Sequence, residues 1–497
     1  MRRLVPALFS VLPLLGGCLG GEPNPVLPED SEPAIDTQQP DTGPDEPVEQ
    51  EVPIAVEWDP DDFYSVYDVG PDQDYPSPCD IPWASLQGGA LVRIHWQQEP
   101  YRCKLAITTD AYENHPLVVM GVPAEDGSLP VITGEDAVTP DDLDSLSQET
   151  WVVQIGGSAQ GDVAAWVWLQ DLAITGARPE NSFTELNGAT THYTNNAAAL
   201  RIAQGHNLHL MGLELYGSHT GLFIEAGSED IVVSSSWLHD NGSTTVNATQ
   251  NAYSEAQNVT YEYSRFGQVL EGSAGSNLFD RSAGLVLRYN WFEGEVTPLK
   301  LHGSGEPAIT EDPGYQQAMV YGNVIIAPVQ ESTGRVVVYG GDAGASADRR
   351  PGTLYFFDNT VISQRPARTY LLMLATPDQH AELHNNLVYA PGEEHELTIL
   401  AGEGQVVMSD TWLSESYQLV PIGSAGVVLE DRTTTGDEPG FADYDNLDLH
   451  LTLDSPCQGL GGQPAAATSE HPVEYQYLKH QRRALRETRE DLGAYEG

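Results

Sequence analysis

The sequence predicts an all-β chain whose folded body is a solenoid of stacked short strands. Turn formers dominate: 48 Gly and 34 Pro stand beside only three lysines, Lys104, Lys300 and Lys479, so long amphipathic helices lack their usual material. A six-residue unit, apolar-x-x-(Asn/Ser/Asp/Leu/Thr)-x-apolar, returns at least nine times between residues 169 and 413. No helical stretch lies between the returns, and 40% hydrophobic residues in 497 suffice for a sizeable core.

The chain opens on an address. Arg2 and Arg3 precede "LVPALFSVLPLL", which is too short to span a bilayer, and "LGGC" ends at Cys18. This resembles a bacterial lipoprotein lipobox. The resemblance implies that residues 1–17 are a signal peptide, that Cys18 carries the lipid, and that this anchor is the only membrane contact. Leu19, in place of Asp, favours the outer membrane, facing the cell surface or the periplasm; an ordinary signal peptide with an incidental Cys is the alternative.

Residues 18–61 are Pro-rich and acidic, and no Lys or Arg occurs between Arg3 and Arg93. Such a segment buries too little apolar surface to fold, so a disordered, extended linker is expected, with the folded domain at 62–497. Across the whole chain 22 Lys+Arg face 73 Asp+Glu, a formal charge of -51 that repels nucleic acid. With Cys18 lipidated in an exported, oxidising setting, Cys79 and Cys103, which flank "GGALVRIHW", are the expected disulfide. Cys457 is left as a buried thiol.

The repeat runs through Leu169, Leu172 and Ile174; Leu210, Leu213 and Leu215; Val233, Ser236 and Leu238; and Tyr261, Ser264 and Phe266. It continues through Leu287, Asn290 and Phe292; Val320, Asn323 and Ile325; Phe356, Asn359 and Val361; Leu383, Asn386 and Val388; and Met408, Thr411 and Leu413. From Leu210 the steps are 23, 28, 26, 33, 36, 27 and 25 residues, the variation that loops inserted at one corner would produce. Four successive asparagines, 290, 323, 359 and 386, predict a ladder at a tight bend. A β-sandwich would instead require general hairpin pairing, for which Asn241-Gly242 is an isolated signal.

With these units in view, the chain resembles right-handed parallel β-helix proteins of the pectate-lyase-like superfold. "VPAEDGSLPVITGEDA" (122–137) looks like their first rungs, "LDLHLTLDSPCQGLG" (447–461) like their last, and "DLGAYEG" (491–497) like their closing strand. The resemblance implies a single-stranded right-handed parallel β-helix with inserted loops over roughly 62–497, as a monomer.

Aligning the strand before each unit stacks Ile202, Ile224, Ala252 and Leu278 inward. Alternation then turns outward Arg201, Phe223 with Glu225, Asn251 with Tyr253, Asn277 with Phe279, and Lys300 with His302. Phe223, Tyr253 and Phe279 form either a stacking platform for sugar rings or a strip covered by the segments 176–198 and 239–258.

For β-helix polysaccharide lyases the resemblance implies a Lys, Arg or His that removes the proton α to a uronate carboxyl, with calcium or a basic cluster neutralising that carboxylate. The candidate basic residues are Lys300, His302, Arg281 and Arg288; the accompanying acids are Glu225, Asp280, Glu293 and Glu295. Residues 250–294 also resemble a subset of secreted β-helix proteins, "HN-x-Y" then "N-x-K-D/S-R-S/A" then "G-x-V-x-R-Y-N-W-x-E-G". The chain departs from that pattern at Gln250, where His is expected, and at Phe279, where Lys is expected. A hydrolase would need two carboxylates about 5–9.5 Å apart, with Glu225 and either Asp280 or Glu293 as the pair. Calcium is the one cofactor in view, without a nameable ligand set: no HExxH, CxxC or EF-hand loop occurs. The expected partner is a polysaccharide, either processed, by a lyase first, or bound by a non-catalytic, adhesin-like surface solenoid.

Overall fold

The repeat unit folds as a tight corner. In each rung a strand ends, one residue enters the left-handed region, the ladder residue follows, and the next strand begins. Asp171, Gly212, Ser235, Tyr263, Tyr289, Gly322, Asp358, Asn385, Asp410 and Arg432 fill the left-handed position with φ between 47° and 63°. None is β-branched, the class for which positive φ is most costly. This geometry comes from a computed structural model that describes residues 51–497 except 53, 55, 142, 144–146, 158–161, 247, 248, 296, 331, 342–348, 393, 394, 464 and 489. Cys18, the leader and most of the expected linker lie outside the described residues.

The ladder forms as the asparagine spacing predicts. The Asn290 backbone N–H donates to Asn323 Oδ1 (2.9 Å), Asn323 to Asn359 (3.0 Å), and Asn359 to Asn386 (3.0 Å), all fully buried. Serines carry it backward: Ser264 N–H donates to Asn290 Oδ1 and Ser236 N–H to Ser264 Oγ. Each bond satisfies a corner N–H that no strand partner reaches.

Around this corner each rung gives one strand to each of three parallel sheets. The first sheet runs from Ser65–Val69 to Val427–Asp431, the second from Val131–Thr133 to Thr434–Gly436, and the third from Leu105–Ile107 to Glu396–Gly402. The chain is thus a single-stranded right-handed parallel β-helix with inserted loops. Inside, Leu200, Leu222, Ala252, Leu278 and Leu299 stack in register and are fully buried. Among the described residues, the antiparallel strand pairs are Ser182–Thr184 with Thr190–His192, Phe441–Asp443 with Asp448–Leu451, and Tyr475–Leu478 with Arg482–Leu485, beside isolated antiparallel bridges of Glu51 with Ala484 and Tyr112 with His115. No described helix is long and apolar enough to cross a membrane.

Three expectations shift. The inward column is displaced by two residues: Ile224 lies opposite Ser254, and Ala252 opposite Leu222. A slip of two preserves which side chains face out, whereas a slip of one would invert them. At the N-terminal side, residues assigned to the linker already rest on the body. Trp58 packs on Trp168 (5.2 Å between ring centroids) and donates to Gln170 Oε1, while Glu51 pairs with Arg482 at 2.8 Å.

At the other end, residues 447–461 and 491–497 are not further rungs. After Thr434–Gly436 the chain doubles back along the corner: Gly493 N–H bonds Asn385 O, Ala494 N–H bonds Thr360 Oγ1, and Tyr289 Oη donates to Pro472 O. This strap covers corner-side apolar groups such as Tyr263, Tyr289 and Trp291, each left at most 1% exposed. Cys79 and Cys103 are disulfide-bonded, with Cα atoms 5.7 Å apart. Cys457 is a buried free thiol, and burial pushes its pKa up to about 12.

Candidate functional site

In-register parallel strands place equivalent side chains directly above one another, about 4.8 Å apart. On the outer face of the third sheet this builds a column of Arg201, Phe223, Tyr253, Phe279 and Lys300. The Phe223 and Tyr253 rings stack at 4.5 Å and 13°, and Tyr253 and Phe279 at 5.7 Å and 14°. All three are half-buried, so the column is not sealed from solvent.

Two residues further along each strand, alternation returns to the same face with Glu225, Glu255, Arg281 and His302. Glu225 pairs with Arg201, which also donates to Thr150 Oγ1. Glu255 Oε2 accepts from Tyr253 Oη (2.8 Å) and Glu255 Oε1 from Ser304 Oγ (2.5 Å). Burial, reinforced by this carboxylate, raises the pKa of the Tyr253 hydroxyl and keeps it a donor. Arg281 holds its guanidinium 5.2 Å above Phe279, tied by Nη1 to Gly303 O at 2.8 Å. The His302 ring centroid lies 4.6 Å from that of Phe279. Beside them, burial raises the carboxyl of Glu295, against the lowering effect of Val269 N–H and the Lys300 charge.

Lys300, Arg281 and His302 therefore gather with Phe279 on the face that also carries Phe223, Tyr253 and Glu225, whereas Arg288, Glu293, Asp280, Asn251 and Asn277 do not join them. Arg288 is on the first sheet, bonded to Glu262 Oε2 through Nε (2.8 Å) and to Tyr321 Oη (3.3 Å). Glu293 is on the second sheet, paired with Arg265 at 2.6 Å. Three-sheet winding separates residues that are near in sequence. Asp280 has inward parity: fully buried, it pairs with Arg350 (3.3 Å) and accepts from Ser254 Oγ and Ser282 N–H. Burial raises its carboxyl despite Arg350. Asn251 and Asn277 have outward parity but are fully buried, each donating to Gly267 O where the chain leaves the second sheet. Glu225, Asp280 and Glu293 thus occupy three different environments, and no glycosidase-type carboxylate pair arises from them. Among the described residues no cluster of three or more His, Cys, Asp or Glu is placed to hold a metal ion.

Glu255 escaped the sequence reading although its signal was present, a Tyr-x-Glu spacing with both residues on one strand face. Ser304 and Arg350 had no such signal, because each reaches its partner from an irregular insertion.

No protein-family model and no curated protein matches the chain. Among solved structures it is similar to the pectate lyase Pel9A, at 12% identity over 87% of this chain and 96% of that one, TM-score 0.48. It is also similar to an alginate lyase from Paenibacillus sp. (9% identity, 70% and 93% covered, TM-score 0.35). The surface protein and adhesin PfbA of Streptococcus pneumoniae stands at 10% identity, 69% and 89% covered, TM-score 0.37. At these values the likenesses assign no activity to the chain.

Proposed function

We propose that the protein is a lipid-anchored surface β-helix that binds polysaccharide along its third sheet. The observation that carries this is the half-buried ladder Phe223, Tyr253 and Phe279, three rings stacked with their hydrogen-bonding neighbours on one open face. Its edges and ring margins offer apolar surface to the apolar faces of pyranose rings, and Glu255, Arg201 and Arg281 stand ready to bond hydroxyls and carboxylates. Lys300 and Arg281 concentrate positive charge at one end, beside His302, which favours uronate units on a protein otherwise strongly acidic. Cys18 and the leader support anchoring, with the outer membrane as the address.

A second reading, β-elimination, is favoured by the gathering of Lys300, Arg281 and His302 around Phe279. Lys300, as the free amine, takes the proton α to the carboxyl, Arg281 neutralises that carboxylate, and the β oxygen leaves with its electron pair to give an unsaturated product. Affinity electrophoresis with polygalacturonate, alginate and glycosaminoglycans tests binding, and the ultraviolet absorbance of the unsaturated product tests elimination. Phe279→Ala should weaken retention by roughly tenfold, the loss of a stacked ring. Unchanged retention of Phe223→Ala, Tyr253→Ala and Phe279→Ala would remove the platform; product formed by wild type and lost in Lys300→Ala would establish the lyase.

A further inference from the structure

We infer that the protein carries a second saccharide site, on the second sheet, that takes a single neutral sugar unit. A hollow of about 440 Å³ opens where that sheet runs into its corner, between the insertion after Gly176 and the loop after Gly242. That volume lies within the range of small-ligand sites. Its wall is Tyr216, and the register explains why one face of this ring is available. On the rung ahead, His239 stacks against Tyr216 at 5.4 Å and 2°, and is itself stacked on Trp237 at 3.8 Å. On the rung behind, the equivalent position is Thr175, too small to cover the other face, which looks into the hollow.

The wall is rigid before any ligand arrives. His239 is fixed between Glu214 Oε1 (3.1 Å) and Asp240 Oδ2 (2.6 Å), so the ring behind Tyr216 cannot swing away. Also lining the hollow, Arg178 is tied by Nη2 to Asp240 O, and Asn181 by Nδ2 to Gly176 O. An aromatic face with amide, guanidinium, carboxylate and hydroxyl groups around it is the chemistry that recognises a pyranose: one apolar ring face and a rim of hydroxyls.

Charge selects the class of sugar. Among the lining residues two carboxylates, Glu135 and Glu180, stand against one guanidinium, Arg178, and Glu135 also faces Arg102 at 3.3 Å from outside the hollow. A uronate carboxylate entering the hollow therefore meets an excess of negative charge, a repulsion that a neutral sugar does not incur. The site is distinct from the third-sheet ladder in sheet and chemistry, and does not depend on that ladder binding polymer.

The test is saturation-transfer NMR and calorimetric titration of the full chain with maltose, galactose, N-acetylglucosamine and galacturonate. At least one neutral sugar should bind, galacturonate should bind more weakly, and Tyr216→Ala should weaken the neutral sugar at least ~10-fold. Asn181→Ala, which leaves the stacked rings in place, should weaken it several-fold, and Phe279→Ala should leave it unchanged. Absence of saturation transfer from all neutral sugars would overturn the site, as would binding that survives Tyr216→Ala or disappears in Phe279→Ala. Loss of polymer retention in Phe279→Ala with neutral-sugar binding intact would separate the two sites.

Discussion

Asp280 shows how a single position changes meaning between sequence and structure. In sequence it stands between Phe279 and Arg281, and the three read as one charged, aromatic cluster. In the fold its neighbours face outward and Asp280 faces inward, paired with Arg350 in a site with no solvent access. Asp280→Ala leaves that guanidinium buried without its partner and should cost about 3–5 kcal/mol of stability. Denaturant unfolding measures it; a variant as stable as wild type would contradict the pairing, whereas Arg281→Ala should fold normally and affect only binding. Tyr253 and Glu255 are the opposite case, two residues on one strand face that the spacing alone could have joined.

Among the elements, the C-terminal strap is the one whose behaviour should depend on pH. It lies over the corner at Asp358, whose carboxyl burial pushes up to about 7, against the lowering effect of Arg486 on the strap 4.0 Å away. A folded pKa above the ordinary value means that this group's contribution is fully present at pH below about 4. It is lost as pH rises through about 7, because the folded state then holds a buried charge. Amide exchange in residues 475–497 should therefore quicken between pH 5 and 8 beyond its intrinsic rise. Asp358→Asn, neutral throughout, should flatten that dependence; an identical slope in the variant would locate the titration elsewhere. The strap itself was misread because "LDLHLTLDSPCQGLG" has the alternation of a rung, and alternation does not say which surface a strand will cover.

For the molecule as a whole, stability is close to a sum over rungs and their interfaces, so local cross-links have local effects. The Cys79–Cys103 disulfide, spanning 24 residues, should stabilise the N-terminal rungs by about 3 kcal/mol in the chain-entropy account. Paired Cys→Ser substitution should lower the first transition and expose the 79–138 region to protease before the rungs around Asn323; simultaneous loss of all rungs would show the solenoid to be fully cooperative. Much of this architecture is contained in the sequence. Apolar alternation, a returning unit and an asparagine in four successive rungs depend on residues close along the chain, and they determine strand identity, face and the ladder. The outward parity of Phe223, Tyr253, Phe279 and Lys300 follows from the same short-range rule. What only the tertiary structure decided is which outward residues share a sheet, since a turn of 23 to 36 residues distributes neighbours over three faces. That is why Arg288 and Glu293 left the candidate site, why Asn251 and Asn277 went under a corner, and why Tyr216 acquired an open ring face beside Thr175. Each of these depends on packing between residues far apart along the chain, where local pattern carries no information.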